Sequence, residues 1–190
     1  TANVSITLDV SKIKSDINTN AAMLDLAPIL GLDGSKKTKA KTQHFNAKKV
    51  YDFKLCETMD EAVLLPEFLP HFEKNESASI DVEVSSINRT LGTITGSEIT
   101  KRFGESLSED TYTVNCHGGG GQSFGAFIPK GMTMRLTGDS NDYFGKGLSG
   151  GKLVVKPEEN VSFKAEENII IGNVALYGST SGKAFINGIA

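Results

Sequence analysis

The stretch GQSFGAFI at residues 121–128 introduces a pattern that returns as GLSGGKLVV at residues 147–155 and as GSTSGKAFI at residues 178–186. In each copy two glycines stand four residues apart, and a short apolar run follows them. The first glycines of successive copies are 26 and 31 residues apart. Repeats of this size are typical of stacked supersecondary units, each of which buries its apolar side against its neighbours.

Glycine at the same place in every copy indicates a corner that each coil of the chain turns in the same way. Such a corner needs a positive φ, or it brings the next coil too close for a Cβ atom. Strands of three to five residues fit between the glycines, and no Asn-Gly hairpin turn separates them. The pattern therefore favours a mainly β fold, a parallel β-helix or single-stranded solenoid, over a β-sandwich or a propeller. The predicted corner glycines are Gly121, Gly125, Gly147, Gly151, Gly178 and Gly182.

The glycines also divide the chain, because 18 of the 20 lie between Gly92 and Gly188. Residues 1–50 carry too few apolar side chains for a core of their own, and we predict an irregular connector there. A helical linker is predicted at residues 51–78 and the glycine-repeat domain at residues 79–190. The sequence thus predicts one β domain preceded by an arm and a short linker.

The linker carries the signals of a broken helix. Thr58 stands three residues before Glu61, which is the spacing of a capping box, and apolar residues follow. Pro66 suits the start of a helix, and Pro70 predicts a second break. Further on, residues 97–104 predict one short helix that ends at a glycine. Period-two alternation and short apolar runs predict strands at residues 80–84, 112–116, 132–136, 153–155 and 169–171.

Composition excludes several classes of protein. A formal charge of −3 and a pI near 5.7 provide no broad basic field for nucleic acid or an anionic membrane. No apolar run approaches the roughly 18 residues of a membrane span, and residues 1–20 lack the features of a signal peptide. We expect a soluble, intracellular protein, in the cytoplasm or an organelle. Cys56 and Cys116 are too few for an iron–sulfur or zinc site, and we expect both to be reduced core residues.

Two glycine-rich stretches resemble nucleotide-binding loops. Residues 118–121 are four glycines, and Gly145, Gly147 and Gly150 satisfy a loose G-x-G-x-x-G. That fingerprint requires a helix N-terminus after the loop, to direct backbone N–H groups at a phosphate. The β-like run at residues 153–155 follows instead. We therefore predict that these glycines are architectural and that the chain holds no cofactor.

Four residues near the glycine run are of types that take part in catalysis. Cys116, His117 and either Asp139 or Asp142 are candidates for a nucleophilic set, but the thiol would stand on a strand that alternates into the core. The run Asp139 to Asp142 is a candidate cation site. Asx turns, in which the side chains bond their own backbone, explain this run better. We predict no catalytic, cofactor-binding or metal-binding residue in the chain.

Several long motifs resemble the C-terminal glycine-repeat (GXGXG) domain of the large subunit of glutamate synthase, NAD(P)H-dependent type. They are NRTLGT at residues 88–93, EITKRFG at 98–104, GQSFGAF at 121–127, GDSNDYFGKGLSGG at 138–151 and ENIIIGNVALYGSTSG at 167–182. The match covers residues 79–190 densely and the preceding part thinly. Because these motifs are long and contain few gaps, they are much more specific than a single glycine fingerprint.

The resemblance implies a structural, right-handed β-helix that braces the glutaminase and FMN domains of the same polypeptide. It implies a further partner, the NAD(P)H-oxidising subunit or domain. The parent enzyme would be an oxidoreductase that makes two glutamates from glutamine and 2-oxoglutarate, in ammonia assimilation, with FMN, an iron–sulfur cluster and NAD(P)H. The chain has no N-terminal cysteine, cysteine-rich segment or barrel sequence, so we expect a fragment that is inactive alone.

The charged residues inside the matched motifs have two readings. They pin the domain to its neighbours, or they are isolated surface charges; they are Arg89, Lys101, Arg102 and Lys146. Two other functions stay open at the level of the sequence. One is a stand-alone β-helix module for subunit docking, resembling a subunit of formylmethanofuran dehydrogenase. The other is an independent enzyme that uses the glycine loops to bind a nucleotide.

Overall fold

The computed structural model describes residues 51–190 of the chain, and the predicted connector at residues 1–50 lies outside the described residues. A 3-10 turn, Leu55–Glu57, and a π-helical turn, Asp60–Leu64, lead into helix α1, Leu65–Lys74. Helix α2 is Thr93–Phe103, and a second 3-10 turn is Ala165–Glu167. The strands are β1 Ala78–Val84, β2 Tyr112–Gly119, β3 Met132–Asp139, β4 Ser149–Lys156 and β5 Ser181–Ile186.

The five strands form one sheet in which every strand pairs, in parallel, with the next strand along the chain. One row of register partners runs Val82, Cys116, Leu136, Val155 and Ile186. Since parallel neighbours cannot be joined by a hairpin, each connection carries the chain back to the same end of the sheet. The prediction of a mainly β fold is confirmed as a five-stranded parallel sheet.

A second stack of hydrogen-bonded segments lies between the strands in sequence, and we call it the turn stack: residues 123–127, 143–147 and 174–178. Each segment takes a positive φ at its first, third and fifth residues. Backbone N–H groups link neighbouring segments, from Gly145 to the Phe124 oxygen at 2.9 Å and from Leu176 to the Phe144 oxygen at 2.7 Å. We call one strand with the segment that follows it a coil, and adjacent coils are hydrogen-bonded to each other in the turn stack as well as in the sheet.

The turn stack corrects the register of the repeat quoted from the sequence. The N–H of Phe127 donates to the Lys146 oxygen, and the N–H of Gly147 donates to the Tyr177 oxygen, both at 2.8 Å. Phe127, Gly147 and Gly178 therefore occupy equivalent positions. The first copy is displaced by six residues from the alignment that the glycines suggest, because hydrogen bonding between coils, and not glycine spacing, decides which residues stack.

The core lies between the sheet and the turn stack. Phe124 and Phe144, the second residues of their segments, are buried and stack with their ring centres 6.1 Å apart. At the first coil, Phe68 and Phe72 of α1 meet the ring of Tyr112 edge-on, at 5.6 and 4.7 Å. The two long helices thus cover the start of the stack, while the later coils bury apolar side chains against each other.

Three local predictions are confirmed or corrected in the linker and first coil. The capping contact is present, since the N–H of Glu61 lies 3.4 Å from the Thr58 hydroxyl oxygen. Pro66 lies in the first turn of α1, but the predicted second break is wrong, because Pro70 lies inside a continuous helix. Both prolines are exposed, so the carbonyl that Pro70 leaves unpaired can reach water. Helix α2 begins at Thr93, four residues earlier than predicted.

Two other predictions are wrong in part. Residues 169–171 form only isolated bridges, Ile169 with Ile189 and Ser140 with Ile171. Cys56 is exposed and only Cys116 is buried, because the segment with Cys56 is a short 3-10 turn that packs no side chain into the core. None of the helices described within residues 51–190 is long and apolar enough to cross a membrane.

Candidate functional site

The candidate nucleophilic set is not assembled. Cys116 and His117 are consecutive residues of β2, and successive side chains of a strand point to opposite faces. Burial, with a smaller contribution from the carboxylate of Asp60, raises the pKa of the Cys116 thiol to about 12. The thiol is therefore protonated at neutral pH, and His117 faces outward beside its register partners Glu83 and Thr137. This arrangement does not suit a thiolate nucleophile.

The polar run at residues 139–142 bonds the neighbouring coils. The Asp142 carboxylate accepts the backbone N–H of Asn173 at 2.8 Å, and the Ser140 hydroxyl donates to the Gly121 oxygen at 3.0 Å. The predicted bonds to the run's own backbone are replaced by these contacts between coils, because the stacked chain brings Asn173 and Gly121 alongside it. Within residues 51–190 no group of three or more His, Cys, Asp or Glu side chains is arranged to hold a metal ion.

The six glycines predicted from the sequence differ in their surroundings. A Cβ atom on any of five of them would contact another coil closely, whereas Gly178 has no atom within 4 Å of that position. The tightest approach involves two other glycines, Gly118 of β2 and Gly138 of β3, which are register partners. A Cβ on Gly138 would overlap the carbonyl oxygen of Gly118, and one on Gly118 would overlap the carbonyl oxygen of Val84. At these two positions the sheet leaves no room for a side chain.

The cations of the matched motifs have different environments. Lys101 and Arg102 at the end of α2 pair with Glu98, at 2.5 and 3.9 Å. Arg89 donates to the side-chain oxygen of Gln122 at 3.2 Å. Lys146 lies over an aromatic ring, and no carboxylate of residues 51–190 lies within 4.0 Å of its Nζ atom. Of the four cations, Arg89 and Lys146 are the two that pair with no carboxylate of the described residues, and Lys146 is the one of these that lies over an aromatic ring.

A buried carboxylate connects the linker to the first coil. Asp60 is 3% exposed, and its oxygens accept the N–H groups of Gly92 at 2.9 Å and Thr95 at 2.8 Å. These donors belong to the N-terminus of α2, where N–H groups have no partner inside the helix and a negative charge is favourable. Asp60 therefore caps a helix from a point more than thirty residues away in sequence, which accounts for the early start of α2.

A family model described as the GXGXG motif matches residues 60–190, which are most of the chain and nearly all of the described region. The chain belongs to the GXGXG family. The matched range agrees with the structure, since residues 60–190 include both long helices, all five strands and the turn stack.

Relatives of this GXGXG domain are glutamate synthases of several kinds. It is 47% identical over 171 residues to the glutamate synthase [NADPH] large chain of Bacillus subtilis, an alignment that covers 90% of this chain and 11% of that protein. It is 43% identical to glutamate synthase [NADH] of Schizosaccharomyces pombe, over 96% of this chain and 8% of that protein. Identity to ferredoxin-dependent glutamate synthase 2 of Synechocystis is 35%, over 96% of this chain and 12% of that protein. The chain spans about a tenth of the length of the curated relatives it matches.

Sequence reasoning missed two features of the GXGXG domain that the structure reveals. Asp60 carried no sequence signal, since nothing local relates it to Gly92 or Thr95. The pair Gly118 and Gly138 had a signal, because each glycine stands two residues after a predicted five-residue strand, at 112–116 and at 132–136. Reading the glycine run as a candidate phosphate loop hid that correspondence.

Proposed function

We propose that this GXGXG domain is a structural portion of a glutamate synthase, in which it braces the glutaminase and FMN domains and performs no chemistry of its own. The observation that carries the proposal is 47% identity over 90% of the chain to a protein of which the chain is 11%. The parent would form two glutamates from glutamine and 2-oxoglutarate as an oxidoreductase. Relatives named for NADPH, NADH and ferredoxin all match. Three of those named for NADPH or NADH are 42–47% identical to the chain, compared with 35% for the ferredoxin-dependent enzyme of Synechocystis, and this difference favours NAD(P)H as the donor.

The proposed architecture is a right-handed parallel β-helix, formed by residues 79–190 after the connector at 1–50 and the linker at 51–78. Two hydrogen-bonded stacks support it, the parallel sheet and the turn stack, because together they align each coil with the next on two sides. Crossovers between parallel strands are right-handed in nearly all proteins. In this proposal the six predicted glycines, from Gly121 to Gly182, serve the stacking of coils and bind nothing.

The cofactors of the proposed parent belong to its other domains. An iron–sulfur cluster is held by several thiolates, and this sequence has two cysteines, of which Cys56 is exposed and Cys116 lies in the core. These residues do not fit a cluster, and no step of the reaction is assigned to them. The same reasoning assigns FMN and the pyridine nucleotide elsewhere, since the glycine stretches lead into strands β3 and β4 and no helix follows them.

The intact mass of the native polypeptide is the first test. A product many times larger than the 20.3 kDa of this chain, with glutamine-dependent synthesis of glutamate from 2-oxoglutarate, is the expected result. A native protein of 190 residues would instead favour the docking module, which the glutamate synthase relatives do not support. Calorimetric titration of the chain with FMN, NAD(P)H and ATP should give no binding heat, and a saturable heat with any of them would restore the nucleotide-dependent enzyme.

Amide hydrogen exchange tests the proposed domain boundaries. We expect the strand, helix and turn-stack amides within residues 79–190 to be protected in the isolated chain, because the two stacks and helix α2 hydrogen-bond them, and those of residues 1–50 to exchange quickly. Protection throughout residues 1–50 would show that the connector has a folded core and would remove the proposed division.

A further inference from the structure

A group of apolar side chains is exposed on the outer side of the turn stack. Phe127 is 52% exposed, Val174 48% and Tyr177 63%. Two half-buried residues, Tyr143 and Lys146, lie beside them. We call these five residues the aromatic patch. It contains one cation and no carboxylate.

The stacking of the coils makes the patch continuous. The N–H of Phe127 bonds the backbone of Lys146 at 2.8 Å, and the N–H of Tyr143 bonds the residue that precedes Val174 at 3.0 Å. Tyr177 occupies the position of Lys146 on the next coil. The Nζ atom of Lys146 lies 5.3 Å from the centre of the Tyr143 ring. Three successive coils therefore contribute to a single surface.

Three residues of the patch hold a backbone conformation that only glycine adopts without strain. Phe127, Tyr143 and Val174 have φ angles of 60°, 62° and 59°. A side chain in this left-handed region raises the energy of the backbone by about 1–2 kcal/mol, and a β-branched or bulky residue there is an outlier. The equivalents of Phe127 on the next two coils are Gly147 and Gly178, which adopt the same conformation without that strain. Every turn-stack segment takes a positive φ at these positions, so the conformation belongs to the stack, and the particular feature of the patch is that bulky side chains occupy them.

Burial within the described chain does not offset the backbone strain at Phe127 and Val174, because both side chains remain about half exposed. Burial of these side chains against a partner outside residues 51–190 would offset the strain. Lys146 adds a requirement for charge: it is half-buried against an aromatic ring, and no carboxylate of the described residues pairs with it. A partner that fits both features presents an apolar surface with an Asp or Glu positioned to meet Nζ.

We propose that the aromatic patch is a docking face for another domain of the same polypeptide, which covers Phe127, Val174 and Tyr177 with apolar side chains and pairs a carboxylate with Lys146. This inference rests on the proposed function, since a polypeptide about ten times longer than this chain supplies such a domain. Aromatic residues are enriched in protein interfaces, and a few residues of this kind near the centre carry much of the binding energy.

Zero-length carbodiimide cross-linking of the full native polypeptide, followed by peptide mass spectrometry, tests the inference. The reagent joins an amine to a carboxylate in direct contact. The expected result is a link from Lys146 to an Asp or Glu outside residues 1–190. The pair Lys164 and Glu167, 2.9 Å apart within the chain, is the internal positive control. If that control link forms and Lys146 links to nothing outside residues 1–190, the inference is wrong.

Two variants make the test independent of folding. Lys146→Arg keeps the charge but cannot be linked, so the link should vanish while the domain stays docked. Tyr177→Ala should instead increase hydroxyl-radical labelling of Phe127 several-fold, because the cover over the patch loosens; unchanged labelling would overturn the docking face. The intact mass separates the two proposals. A long polypeptide without the Lys146 link removes only this inference, whereas a 190-residue native protein removes the proposed function and this inference with it.

Discussion

Replacing Gly138 by alanine should destabilise the domain far more than the loss of one glycine does elsewhere. Gly138 lies in β3 with φ +146°, and a Cβ atom there would overlap the carbonyl oxygen of Gly118 and lie 2.8 Å from its carbonyl carbon. Carbon atoms in contact are normally about 3.5–4.0 Å apart. Strands β2 and β3 would have to separate by roughly an ångström at a point where they are register partners.

The magnitude follows from two contributions. An L-residue in a left-handed or otherwise glycine-only conformation costs about 1–2 kcal/mol. Forcing a methyl group into a packed site costs about 1–3 kcal/mol, and here the obstacle is backbone, which yields less than a side chain. Gly138→Ala should therefore lower the free energy of unfolding by about 2–5 kcal/mol. For a domain of this size that corresponds to a fall in Tm of roughly 5–20 °C.

Gly178→Ala is the matched control. Its φ is +70°, also positive, but no atom lies within 4 Å of the added Cβ. It should lose only the conformational contribution, about 1–2 kcal/mol. Urea unfolding followed by circular dichroism, with thermal melts of both variants, measures the difference. Equal losses for the two alanines would refute the reasoning, because they would show that close approach between the coils contributes nothing beyond φ.

Three further predictions concern the first coil and the loop before β2. Asp60→Ala should lower the free energy of unfolding by about 2–4 kcal/mol, since two buried N–H donors lose their acceptor, and Asp60→Asn, which keeps one acceptor oxygen, should lose clearly less in the same urea titration. Tyr112→Phe should leave stability unchanged or raise it by up to about 1 kcal/mol, because the buried hydroxyl has no hydrogen-bond partner in the described chain; a clear loss of stability would reveal a partner such as bound water. Lys152 pairs with Glu109 and Asp110, both at 2.6 Å, and these ion pairs lower the pKa of the two carboxyls. The stabilisation by the pairs is therefore fully present above the ordinary pKa values of 4.5 and 3.8, and it is lost as the pH falls through the lowered pKa values. The Tm difference between the wild type and Asp110→Asn should accordingly shrink in acid, and a constant difference between pH 7 and pH 2.5 would contradict this account.

Local patterns were sufficient to predict the class of fold. Alternation in residues 80–84 and 112–116 identified strands, and the short apolar runs between glycines ruled out long helices in the later half. Thr58 and Glu61 marked a helix start, and Gly104 marked a helix end, because caps depend on residues a few positions apart. These features are decided by neighbouring residues, so one sequence is enough to read them.

Contacts between coils needed the tertiary structure. The sequence aligned Gly121 with Gly147 and Gly178, but hydrogen bonding puts Phe127 in that row. Successive turn-stack segments begin 20 and 31 residues apart, and nothing in their spacing tells which residues stack when the intervening loops differ in length. For the same reason the Gly118 and Gly138 pair went unrecognised as the point of closest approach.

By itself, then, the sequence determined a mainly β domain of parallel strands with a helical start, and long motifs that identify its family. Only the tertiary structure decided that Asp60 caps a helix more than thirty residues away, that Asp142 bonds the next coil, and that Phe127 and Val174 are held outward in a strained backbone. The physical reason is the distance along the sequence over which each interaction acts. Caps, turns and alternation are local, whereas capping across the chain, contact between backbones and exposure depend on which coils lie side by side.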